Sequence, residues 1–277
     1  MYRNYNFIKY MEQVIFYDWN RNPKMIWSDA CRIEGEENHT IQFYASFDTT
    51  IYNARTICRV ETGQLVRFIE QLEDMYRGQC NKIVLHSCNE KLSVFLQKEL
   101  CGHIALCAHV KNRYPTEDEL TFCTYFDQTF LPDLCAEIRI MSQTSVVQSD
   151  YTTVQPEESF SFHLSLLDRV VLHDYVCFRL NIKDAFFHVV TDTSMWWEEF
   201  HCFREELGQL IEGKVNEVIF APLGEFWRIT FVSLGREILV KGDISDMEMP
   251  QSSLSFHRIV SSALCSDLKS QLERWLL

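Results

Sequence analysis

The apolar pattern of this 277-residue chain is written twice, the second copy lying about 135 residues after the first. Leu65, Phe68, Leu72, Met75 and Gly78 return as Phe200, Phe203, Leu207, Leu210 and Gly213, and Ile83 and Leu85 return as Val218 and Phe220. Leu92, Val94 and Leu96 return as Trp227, Ile229 and Phe231 at the same offset. After one deleted residue, Ile104, Leu106 and Val110 align with Ile238, Val240 and Ile244, and Leu120, Phe122, Asp133, Leu134 and Ile138 align with Leu254, Phe256, Asp267, Leu268 and Leu272. A repeat of core positions at fixed spacing implies two homologous domains. The expected boundaries are 1–141 for the first domain, 142–156 for a Ser-, Thr- and Gln-rich linker, and 157–277 for the second.

Within the first copy, Ile41, Phe43, Ala45 and Phe47 alternate as a half-buried strand does, and a second strand is expected over Tyr52 to Val60. A helix follows, with Thr62 as its N-cap, an apolar stripe of Leu65, Phe68, Ile69, Leu72, Met75 and Tyr76, and Gly78 as its stop. Strands over Lys82 to His86, Leu92 to Gln97, His103 to Val110 and Glu119 to Thr124 lead to a closing helix capped by Asp127 or Thr129. The second copy repeats the order: strands Val176 to Ile182 and Phe186 to Val190, a helix Met195 to Glu212 capped by Ser194, four strands between Val215 and Val260, and a last helix Ser262 to Leu276. Gln13 to Trp19, Lys24 to Ile33 and Ser159 to Val171 add strands upstream. The expected fold is α+β: two tandem homologous domains, each a mainly antiparallel sheet with two helices packed on it, around a ββαββββα core.

Charge narrows the function. The formal net charge is −13, with 15 basic against 20 acidic residues in residues 1–150 and 11 against 19 in residues 151–277. A field of that sign in both halves repels nucleic acid and anionic membrane and favours a basic partner. No run approaches the roughly 18 apolar residues that span a bilayer. The stretch Met1 to Tyr10 lacks the apolar centre and cleavage site of a secretory signal, so the expected location is cytoplasmic.

Motifs for catalysis or cofactors are sparse. With 9 Gly in the chain and none clustered, a phosphate cradle is hard to build, and there is no GxSxG, CxxC or HxxxH. His103, Cys107 and His109 share one face of an expected strand, and His201 adjoins Cys202, which leaves a Cys/His enzyme as one alternative reading. The 11 cysteines are odd in number and scattered, so most are expected reduced, with Cys58, Cys107, Cys177 and Cys202 acting as small hydrophobes. No cofactor and no metal is expected.

The helix around Trp196 is dense in both aromatic and acidic residues. Trp197, Phe200, Phe203, Leu207 and Leu210 form the expected buried stripe, and Glu198, Glu199, Glu205, Glu206 and Glu212 ring the other side as the strongest candidate for docking a basic protein surface. The first copy has Glu70, Glu73 and Asp74 on the corresponding face. Glu117, Asp118 and Glu119, with Asp243, Asp246 and Glu248 in the second copy, are expected to form a further acidic rim.

Each repeat resembles the small immunity proteins of bacterial polymorphic toxin systems, in particular the WapI-type immunity family. The resemblance is carried by a strand pair, a helix opening near Leu65 or Trp197, short strands over Lys91 to Leu96 or Glu225 to Phe231, a Gly-bounded strand over Gly102 to Val110 or Gly235 to Ile244, and the closing stretch Glu119 to Leu134 or Ser253 to Leu268. It covers roughly 100 residues in each half, whereas the members compared are single domains. The resemblance implies a non-catalytic, cytoplasmic inhibitor that binds a cognate toxin domain and covers its active site. A scaffold or accessory subunit of an antiphage or secretion-linked complex is the alternative within the binding class, and oligomeric state stays open.

Overall fold

The computed structural model describes residues 13–33, 40–112, 118–143, 160–170, 175–222, 224, 226–246 and 251–275. The chain divides into two compact units. The first comprises Met1–Thr49, Asn53–Lys111 and Leu120–Val154, and the second comprises Thr50–Tyr52, Asn112–Glu119 and Gln155–Leu277. The expected linker 142–156 lies outside the described residues beyond Gln143.

In the first unit, β1 (Val14–Tyr17), β2 (Pro23–Arg32), β3 (Thr40–Asp48) and β4 (Tyr52–Glu61) form an antiparallel meander in chain order. After helix α1 (Thr62–Tyr76), strands β5 (Lys82–His86), β6 (Leu92–Lys98), β7 (His103–Asn112) and β8 (Asp118–Asp127) form a second meander, and α2 (Leu131–Ser142) closes the unit. Alternation at period two decides which face is dry: Ile41, Phe43, Ala45 and Phe47 of β3 and Ile104, Leu106, Ala108 and Val110 of β7 are all buried. The inner faces of the two strand blocks meet where the Phe47 ring lies 5.7 Å from Phe122. Helices α1 and α2 pack on each other, with α1 also against β5 and α2 against β1. Leu65, Phe68, Ile69, Leu72 and Met75 are the buried face of α1, and Phe68 reaches the Trp27 ring of β2 at 6.4 Å.

The second unit has β9 (Ser161–Val170), β10 (Tyr175–Lys183) and β11 (Phe187–Trp196) with β10 in the middle, then α3 (Trp197–Ile211). The meander β12 (Glu217–Phe220), β13 (Trp227–Ser233), β14 (Glu237–Ser245) and β15 (Ser253–Ser261) follows, and α4 (Ser262–Arg274) ends it. Its core is aromatic: Phe178 lies 5.5 Å from Phe220, Phe187 4.8 Å from Phe256, and Phe203 of α3 4.3 Å from Phe220. Gly242 of β14 pairs with Phe256, and a β-carbon there would lie 2.1 Å from that ring, so only glycine fits. Among the described residues the fold is α+β with antiparallel sheets and four α-helices, and the order strands, helix, four strands, helix recurs in both units.

Local details differ from the sequence expectations for identifiable reasons. Ser194 does not cap α3: the β10–β11 ladder continues through Ser194, Met195 and Trp196, so the helix begins only at Trp197 with Trp196 as N-cap. At α1 the N-cap is Glu61, whose N–H donates to Gln64 Oε1 at 3.4 Å, and Thr62 is already helical. Gly78 follows the helix in the left-handed conformation expected of a stop, at φ +76°. Tyr76 lies at the rim of the stripe and is 51% exposed.

One buried charge cluster organises the second unit. Arg258 of β15 is 8% exposed, and its Nη1 and Nη2 donate to Oδ1 and Oδ2 of Asp118 at 2.6 and 2.8 Å in a two-pronged pairing. Its Nε donates to Asp184, in the turn after β10, and its Cζ lies 5.5 Å from the Phe187 ring. Burial by itself would favour a neutral guanidine, but the hydrogen bonds and charges of the two aspartates overcome it and raise the Arg258 pKa. Replacing Arg258 with Met would leave two carboxylates facing each other in a dry site. The expected loss of stability is about 3–5 kcal/mol, read from urea unfolding of wild type and R258M. A loss below about 1 kcal/mol would show that the cluster is hydrated and of little energetic weight.

Candidate functional site

The acidic face of α3 is largely as the sequence placed it. Glu198, Glu199, Glu205, Glu206 and Glu212 are all exposed. Glu205 pairs with Arg204 at 3.3 Å, and Glu212 pairs with Lys214 at 2.6 Å, a hydrogen bond and charge that hold the Glu212 carboxyl below its ordinary pKa. Among the described residues no cation lies within ion-pair reach of Glu198, Glu199 or Glu206. Glu198 and Glu199 occupy the first helical turn, where the helix dipole favours negative charge. Beside them Trp196 is 46% exposed, and Trp197, expected fully inside the stripe, is half-buried. The Trp196-Trp197 pair was the available signal, because a helix stripe needs only one of two adjacent positions.

The corresponding face of α1 differs. Glu70 is exposed, but Glu73 is bridged to Arg139 at 2.7 Å and to Arg77 at 3.5 Å, and Asp74 lies 3.7 Å from Arg77. Most of that charge is therefore answered internally. The second acidic rim is corrected more strongly. Asp118 and Asp246 are each 1% exposed and serve as buried acceptors, Asp118 for Arg258 and Asp246 for the Thr50 N–H at 3.0 Å and Thr50 Oγ1 at 2.8 Å. Neither can meet a partner at the surface. Glu119 and Asp243 are exposed, with Asp243 accepting from Ser255 Oγ at 2.8 Å, while Glu117 and Glu248 lie outside the described residues.

Among the described residues the cysteines and histidines do not assemble into a metal-binding cluster. Cys107 is bonded to Cys123 across β7 and β8, contrary to the expectation of a free apolar thiol. His109 Nδ1 is 3.2 Å from Thr121 Oγ1, and the His103 ring lies 4.4 Å from Trp19, so the row on β7 is divided among separate partners. His201 faces the Trp197 ring at 4.7 Å, and Cys202 is exposed and not an apolar core thiol, because it falls on the outer face of α3. Cys177 is half-buried. Burial raises the pKa of Cys58, and pushes those of Cys135 and Cys265 up to about 11 and about 12.

A cleft of about 460 Å³ that no sequence pattern announces lies in the first unit, between β1 and α2. Its walls include Ile15, Tyr17, Phe130 and Ile140, with Arg21, Asp133 and Glu137 at the polar side. Tyr17 and Phe130 stack at 5.9 Å, and the Arg21 guanidinium lies over Phe130 at 5.5 Å. Glu137 Oε2 accepts the N–H of Ile15 at 2.8 Å. Burial pushes the Glu137 carboxyl above its ordinary pKa, the Ile15 N–H opposes that, and the like charge of Asp133 adds to it.

Residues 38–143 match the model of the immunity protein WapI-like family. The match ends with α2 and takes in β3 to β8 and both helices of the first unit, so this part of the chain is similar to that family. No curated protein matches the chain. The cysteine environments give a measurable pattern for the native protein: at neutral pH an alkylating reagent is expected to label the exposed Cys88, Cys101 and Cys202 within minutes and leave the buried Cys58, Cys135 and Cys265 unmodified until unfolding. Mass spectrometry of the digest reads the outcome. Fast modification of Cys58 or Cys265 would indicate an opened core and an activated thiol.

Proposed function

We propose that the protein is a non-catalytic immunity-type inhibitor, acting in the cytoplasm, that binds and neutralises a bacterial toxin domain with a basic surface. The observation that carries the reading is the match of residues 38–143 to the WapI-like immunity family. The charge of −13 and the unanswered carboxylates of α3 supply the electrostatic side of the argument. Toxin domains that act on nucleic acid carry positive grooves, and an acidic inhibitor gains encounter rate and orientation from that contrast. Trp196, exposed at the start of α3 beside Glu198 and Glu199, is the aromatic anchor that such a contact needs at short range.

The recurring element order and the repeated apolar positions support a second copy of the same domain in the second half. In this reading the two copies divided the work: α1 spends its carboxylates on Arg77 and Arg139, while α3 keeps Glu198, Glu199 and Glu206 for a partner. Neither nucleic acid nor membrane is the target, and among the described residues no helix is long and apolar enough to cross a membrane.

The test is co-purification of the full-length chain from its native cells, followed by protection and binding assays with the toxin domain so identified. Full-length wild type is expected to rescue growth and to bind the purified toxin. The triple variant E198K/E199K/E206K is expected to associate at least tenfold more slowly, with a flatter salt dependence and little change in dissociation. W196A is expected to dissociate faster, at a cost of about 2 kcal/mol. Absence of protection by the wild type would end the proposal. Unchanged association of the triple variant would remove α3 from it.

A further inference from the structure

Among the described residues, strand β1 stands at the end of its sheet order and pairs with β2 alone. The backbone N–H of Ile15 is taken by the Glu137 carboxylate, 2.8 Å away on α2, and among the described residues it has no strand acceptor. A side chain that reaches across 122 residues of sequence to satisfy an edge amide does the work of a missing neighbour strand. Between that edge and α2 runs the cleft of about 460 Å³, bounded on one side by the stacked rings of Tyr17 and Phe130. An edge strand, a helix beside it and a groove between them are the elements that proteins use to accept an extended segment as an added strand.

We propose that this cleft receives an extended segment of the protein partner, added antiparallel or parallel to β1, with an Arg or Lys side chain of that segment seated between Asp133, Glu137 and the Tyr17–Phe130 shelf. A carbonyl of the incoming strand takes over the Ile15 N–H, which releases Glu137 to pair with the incoming cation. Asp133 stands one helical turn before Glu137 on α2, so two carboxylates flank the place the cation would occupy. The shelf is suited to a guanidinium, since that of Arg21 already rests over Phe130 at 5.5 Å while making no ion pair with Asp133 or Glu137 among the described residues. Arg21 is exposed in a turn at φ +62° and acts as the internal occupant that the partner's cation displaces. The family match includes Phe130, Asp133 and Glu137 but not β1. This inference rests on the reading of the chain as a binder of a basic protein, and it names a contact separate from the α3 face.

The experiment uses the full chain, 15N-labelled, titrated with acetyl-Thr-Val-Arg-Val-Thr-amide and, in parallel, with the same peptide carrying Glu in place of Arg. The Arg peptide is expected to shift the amide resonances of Ile15 and Tyr17 and to bind at least fivefold more tightly than the Glu peptide. In E137Q, which keeps an oxygen acceptor for Ile15, and in D133N, the Arg peptide is expected to bind about fivefold more weakly and the discrimination between peptides to narrow. E217K, at an exposed position of β12 in the second unit, is the control and leaves the titration unchanged. Equal binding of both peptides, shifts confined to α3, or no shift at Ile15 overturns the inference. So does a concentration-dependent dimer that protects the Ile15 amide without peptide, which assigns the edge to a second copy of the chain. If the Arg peptide seats at β1 but no toxin is neutralised, the cleft stands and the proposed function falls. If toxin binding depends on α3 and is indifferent to D133N and E137Q, the function stands and this contact falls.

Discussion

Every strand block in the molecule has one dry face, and each unit keeps it dry by facing two blocks together and closing them with a pair of helices. Phe47 against Phe122 in the first unit and Phe187 against Phe256 in the second mark where opposing faces meet. Each fully buried phenylalanine removes enough apolar surface from water to contribute about 2–3 kcal/mol. The close fit this requires is visible at Gly242, where the Phe256 ring occupies the space of a β-carbon. Such packing leaves little freedom inside, so differences in chemistry between the units lie on their helices, edges and turns.

Charge is handled in two distinct ways. Inside the second unit, Arg258 is held by Asp118 and Asp184, and Asp246 is held by Thr50, so these aspartates serve the fold. A buried carboxylate without such partners would be too costly to retain. On the helix surfaces the charges are cheap in water, and the contrast between α1 and α3 is therefore not forced by stability. Glu73 and Asp74 pair with arginines, whereas among the described residues Glu198, Glu199 and Glu206 do not, which favours a contact made at α3.

The edge of β1 shows the same economy of polar groups. An open strand edge invites uncontrolled pairing, and a carboxylate placed on its outward amide is one way to blunt it. Burial pushes the Glu137 carboxyl up, the Ile15 N–H holds it down, and the like charge of Asp133 adds to the rise. The segment 38–143, similar to the WapI-like family, supplies the helix side of this arrangement, and the strand that precedes it supplies the amide.

The strand and helix order was legible in the sequence because sheets and helices bury residues at different periods: Lys82–His86 was placed to the residue, and the α1 stripe from Leu65 to Met75 was placed with only Tyr76 in excess. The exposure of the α3 glutamates followed from the same stripe. The end of β11 was not legible, since Ser194 has the chemistry of a cap and only its ladder partner Cys177 keeps it in a strand. Asp118 and Asp246 read as surface acids because burial of a carboxylate depends on a partner far away in sequence, 140 residues for Arg258 and 196 for Thr50. Cys107 and Cys123, and likewise Ile15 and Glu137, meet only when separate strands and helices dock. Periodicity and side-chain type thus determined the elements and their dry faces, while tertiary structure alone decided which charges are buried, which thiols meet and where a cleft opens, because those outcomes depend on distances between elements that no local pattern records.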